Sequence, residues 1–81
     1  MTKEYNGWMN YETWNVALWF SNDYELYVFA QGFSRWPEPF IAFREALRDE
    51  GKTETADGVS FWDSKLDIES LNEAIVEFRG D

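Results

Sequence analysis

Sixteen carboxylates, with no histidine and no cysteine beside them, set the chemistry open to this chain. Two carboxyl groups facing each other can share acid–base work across a cleft. Here all sixteen stand in cap, turn or helix-surface contexts, and none lies inside an apolar pattern that would raise its pKa. The absence of histidine removes the commonest general base and the commonest neutral metal ligand. The absence of cysteine removes thiolate metal sites and disulfides. Serine and threonine have no histidine to activate them, and no serine–lysine motif stands out. Asp57-Gly58 lacks the ligand spacing and closing glutamate of a calcium loop, and no glycine-rich phosphate loop is present. These residue types predict a protein that is not an enzyme, with no catalytic residues, no cofactor and no metal site.

The most suggestive spacing is Glu69, Glu73, Glu77. Residues at i and i+4 on a helix lie roughly 6 Å apart along its axis, close to the separation of successive phosphates on a nucleic-acid strand. With Asp63, Asp67 and Asp81 nearby in sequence, such a row can imitate a phosphate backbone and compete for the basic groove of a nucleic-acid-binding protein. The plainer reading is that an amphipathic helix must put something polar outside, and glutamate is a good helix former. Trp36, just before Pro37 and Pro39, is either an exposed anchor for a partner or a cover for the edge of the core. Arg44 and Arg48 suit a partner's carboxylate, or pairing within the chain to Glu45, Asp49 or the acidic last helix.

The net charge of −9 argues against direct contact with nucleic acid or anionic membrane, because phosphate attraction needs a basic surface. It fits a protein partner with a basic surface, a high-salt interior or plain solubility. The charge is concentrated: residues 1–48 hold six acidic and four basic side chains, and residues 49–81 hold ten and three. Aromatics run the other way, with thirteen of sixteen before residue 49. The first part therefore supplies most of the core and the last third most of the field. No apolar run approaches the roughly 20 residues of a membrane span, and MTKEYNGW does not read as a secretory signal, so a cytoplasmic location is expected.

The elements that must position these residues are short. Residues 1–81 predict a single domain, all-α, of about four short helices in a non-regular bundle. After a lead-in arm with an Asn6-Gly7 turn, Asn10 caps a first helix with Tyr11, Trp14 and Leu18 as its stripe. Val16, Ala17, Trp19 and Phe20 make it apolar on almost every side, so it is either central or completed across a homodimer. Asn22 with Glu25 resembles a capping box for a second helix over 23–31, with Gly32 in the left-handed position after it; a short strand is the alternative there. Pro39 opens a third helix that buries Phe40, Phe43 and Leu47 and stops at Gly51. Residues 51–61 are a polar connection compatible with a short β-hairpin turning at Asp57-Gly58. Asp67 caps the last helix, Leu66 staples to Leu71, and Gly80 closes it.

The segment Gly7-Trp8-Met9-Asn10-Tyr11-Glu12-Thr13-Trp14-Asn15-Val16-Ala17-Leu18-Trp19 resembles the G-W-x-N-Y-E-T-W-N-V-A-L-W signature of a family of small uncharacterised proteins from bacteriophages and bacteria, cyanobacteria among them. The resemblance covers residues 5–23. It implies no activity and no catalytic residues, but it suggests a phage-encoded protein of the kind that binds a host enzyme. Physically the segment supplies a cap (Asn10), polar helix-face groups (Glu12, Thr13, Asn15) and core rings (Tyr11, Trp14, Trp19), and Asn15 among large apolar neighbours has no assigned role. The expected function is thus an acidic interaction protein that binds and inhibits a host protein by mimicking DNA. The alternative is a structural, self-associating homodimer.

Overall fold

The computed structural model describes residues 7–79. Four α-helices follow in order, α1 (Tyr11–Asn22), α2 (Tyr24–Gln31), α3 (Pro39–Asp49) and α4 (Ile68–Val76), and a 3-10 turn over Glu77–Arg79 continues the last. The fold is all-α, as expected, and the suspected hairpin shrinks to one antiparallel bridge between Glu54 and Ser60. The Asn6 half of the first turn and the closing Gly80, with Asp81, lie outside the described residues.

The helices start and stop for local reasons. Asn10 caps α1 by accepting from the Thr13 N–H at 2.8 Å. The cap of α2 is Asp23 rather than Asn22: its carboxylate accepts from the N–H groups of both Glu25 and Leu26. Asn22 is still the last residue of α1, so the two helices share a single junction residue. Gly32 is right-handed, with φ −64°, because the chain leaves α2 through further tight turns (Phe33 N–H to Ala30 O, Ser34 N–H to Gln31 O) instead of reversing. Gly51 does adopt the left-handed conformation, φ +82°, and the Gly51 and Lys52 N–H groups close α3 onto the Arg48 and Leu47 carbonyls. Glu38 offers α3 no side-chain cap; the orphan N–H of Phe40 is taken at 2.8 Å by Asn72 from α4. Asp67 caps α4 through the Ser70 N–H.

The buried stripe of α1 differs from the expected one. Thr13, Val16, Ala17 and Phe20 face inward, at i, i+3, i+4, i+7, while Tyr11 is exposed and Trp14 and Leu18 are half-buried. A helix apolar on nearly all sides has a weak moment, so periodicity selects no face, and the polar Thr13 disguised the true one. Phe40, Phe43 and Leu47 of α3, Phe61 of the connection, and Leu71 and Ile75 of α4 join Val16, Ala17 and Phe20 in the core. Phe20 is its hub: it is fully buried and meets Phe43 and Phe78 edge-on, with ring centroids 5.8 and 5.6 Å apart, and Phe40 at 6.4 Å.

Truncating that hub leaves a cavity no single neighbour can fill. Phe20→Ala is expected to cost about 3–5 kcal/mol, much of the roughly 5–15 kcal/mol typical of a small domain. Urea unfolding followed by tryptophan fluorescence measures the loss.

Candidate functional site

The polar residues that the first helix carries into the interior form a connected constellation. Asn15 is fully buried; its Oδ1 accepts from the Thr55 hydroxyl at 2.7 Å, and its Nδ2 donates to the Asp57 carboxylate at 2.8 Å. The same carboxylate oxygen accepts from the Trp19 indole N–H at 3.1 Å. Thr55 Oγ1 accepts in turn from the Val59 N–H, and the Gly58 N–H bonds to the Thr55 carbonyl, so the turn is organised around the amide it serves. Gly58 permits the turn with φ +89°. Two residues before Asn15, fully buried Thr13 accepts from the Asp67 N–H at 3.0 Å, and Asn10 Nδ2 donates to the Lys65 carbonyl at 2.7 Å. Glu12 pairs with Lys65 at 3.8 Å on the surface. Thr13 and Asn15 are therefore interior ties, not the helix-face groups expected, and they bind α1 to the connection and to the start of α4.

The constellation has the residue types of a reaction centre without the arrangement. Thr55 gives its hydroxyl proton to an amide oxygen, which is no base, so it is not an activated nucleophile. Hydrogen bonds from Asn15 and then Trp19 favour the ionised form of Asp57 and hold its carboxyl below the usual carboxylate range, against a small opposing effect of desolvation. A carboxylate so held has little proton affinity near neutral pH. The geometry performs positioning.

The row of glutamates is where the sequence places it. Glu69, Glu73 and Glu77 are all exposed, and among the described residues none has an ion-pair partner. The Glu77 N–H still reaches the Glu73 carbonyl, so the i, i+4 spacing holds into the 3-10 turn. Glu73 and Glu77 line an open groove of about 320 Å³ with Trp8, Gly7, Ser70 and Ala74. Asp63 and Asp67 do not extend the row as free charges. The Asp63 carboxylate accepts from the Lys65 N–H, and that of Asp67 from the N–H and hydroxyl of Ser70.

Trp36 is 54% exposed and rests edge-on against Phe33, so it is both a lid on the core edge and an available ring. Arg48 pairs with Glu45 at 2.6 Å and lies over the Trp62 ring. Arg44 lies between the Phe40 and Trp62 rings and donates to the Phe61 carbonyl. Partial burial lowers its pKa, partly offset by Glu45 and Glu38. Neither arginine reaches the last helix. Sequence reasoning missed Thr55 and Asp57 as partners of Asn15; the signal was a single amide in an apolar helix, which must be answered somewhere. Among the described residues no group of three or more carboxylates is gathered closely enough to hold a metal ion, and no helix is long and apolar enough to cross a membrane.

The chain belongs to a family of unknown function, DUF7249, whose pattern it matches over residues 1–80. The match runs over nearly the whole chain. No curated protein and no solved structure matches it.

The Asp57 clasp makes stability depend on pH. Its folded pKa lies below the unfolded value, so its contribution is present in full above the ordinary carboxylate range and is lost as pH falls through the folded value. Asp57→Asn removes that contribution. Urea midpoints taken between about pH 5 and pH 2 are expected to fall more steeply in the parent than in the variant, the difference reporting Asp57 alone.

Proposed function

We propose that this chain is a non-enzymatic acidic binding protein of phage origin. It docks α4 against the basic surface of a host protein, a nucleic-acid-binding enzyme being the target class, and inhibits it by occupying the site of a phosphate backbone. The observation that carries the reading is the position of the glutamate row. Like charges at i, i+4 destabilise a helix by about 0.2–0.5 kcal/mol per pair, and a carboxylate at the C-terminal end opposes the helix dipole by about 0.3–1 kcal/mol. The last turn of α4 holds no basic residue to compensate, and Arg79, just beyond, commits its Nε to the Ser34 carbonyl. Local stability alone would not choose Glu77 there. The unpaired charge raises the encounter rate with a basic partner and disfavours nucleic acid and anionic membrane.

The test is competition. The protein is added to bacterial nucleic-acid-binding proteins held on a DNA column at about 50 mM salt, where phosphate contacts are strong. The parent is expected to release a subset of them, and Glu69→Gln, Glu73→Gln, Glu77→Gln combined to release far less. Equal release by both would contradict a role for the row.

A further inference from the structure

The junction of α1 and α2 forms a second concavity, to which α4 contributes nothing. Trp19, Leu26, Leu47 and Phe61 supply its apolar wall and floor, Leu47 and Phe61 being buried beneath it, and its volume is about 170 Å³. Pockets for cofactors and drug-sized ligands run from roughly 300 to 1,000 Å³, so this one has room for a single side chain. Its lining is negative: Glu25 and Glu54 stand against one cation, Lys52, while the Asp23 carboxylate beside them is held by the N–H groups it caps. Glu25 and Glu54 are exposed and have no ion-pair partner among the described residues. Asp57, outside the lining, accepts from the indole N–H of Trp19 and fixes the ring in the wall.

A slot with an apolar floor, an indole in its wall and carboxylates in its lining suits a cation that is planar and weakly hydrated. Guanidinium meets that description; ammonium is a compact, strongly hydrated charge that loses more on leaving water. We propose that this pocket receives an arginine side chain of the partner protein, an anchor built from elements other than the glutamate row. The proposal rests on the reading of the partner as a basic protein. A second copy of this chain is a poor occupant, since two copies each of net charge −9 repel.

The Trp19 indole N–H, assigned in a ¹H–¹⁵N spectrum by its loss in Trp19→Phe, reports occupancy. Titration with N-acetyl-arginine amide is expected to shift it saturably with an affinity of about millimolar, as befits one side chain. N-acetyl-lysine amide should bind several-fold more weakly and N-acetyl-citrulline amide should give no saturable shift. Glu25→Gln combined with Glu54→Gln should weaken arginine binding about tenfold. The proposal is overturned by the absence of a saturable shift, by lysine or citrulline responding as arginine does, or by an unchanged response in the double variant. It is equally overturned by a shift on raising protein concentration alone, which would make the occupant a second copy. The triple α4 variant should bind the arginine amide as the parent does, so the pocket can fail while the glutamate row stands, and the row can fail while the pocket stands.

Discussion

The amide of Asn15 is buried without solvent contact in a helix whose other inward residues are Thr13, Val16, Ala17 and Phe20. An amide taken out of water without partners costs about 1–3 kcal/mol by the measure of protein mutations, so the chain must return to it. It does so forty residues later: Thr55 donates to the oxygen and Asp57 accepts from the nitrogen. That return fixes the course of the 51–61 connection, and with it the places of Val59 and Phe61 in the core. Asn10 and Thr13 act likewise on Lys65 and Asp67. The entry of α4 is thereby set from the first turn of α1, and the acidic face of α4 inherits its orientation from those ties.

Local signals proved sufficient wherever the physics is local. Asn10, Pro39, Gly51 and Asp67 were legible as caps or stops, since a cap answers N–H or C=O groups within a few residues of itself. The Phe40, Phe43, Leu47 stripe was legible because α3 is strongly two-faced. The buried side of α1 was not, because apolar residues surround it. The long-range hydrogen bonds were out of reach for a different reason. Nothing in the spacing of Asn15 and Thr55, or of Phe40 and Asn72, says that they meet; only the packed chain brings them together. The glutamate row was visible and is exposed as its spacing required, whereas Asp63 and Asp67 turn out to serve backbone N–H groups.

The segment from Gly7 to Trp19 is held mainly by such internal ties. Its polar members Asn10, Glu12, Thr13 and Asn15 each have a partner inside the chain. With those polar groups occupied in holding the fold together, the segment has mainly its rings left to offer a ligand: Trp8 lines the groove beside Glu73 and Glu77, and Trp19 walls the pocket. The charge that the fold leaves uncompensated stands outside the segment, in the row along α4 and in Glu25 and Glu54 beside the pocket at the α1–α2 junction. A net charge of −9 on 81 residues keeps both surfaces attractive to basic proteins.

The Asn15–Thr55 hydrogen bond ties the first helix to the second half of the chain. A double-mutant cycle of Asn15→Leu and Thr55→Val, read by urea unfolding, tests it directly. Each single change leaves a buried polar group without its partner. The double variant is therefore expected to be more stable than the sum of the single losses implies, with a coupling of about 1–3 kcal/mol. Additive losses within about 0.3 kcal/mol would contradict it, since they would mean that the two side chains do not depend on one another.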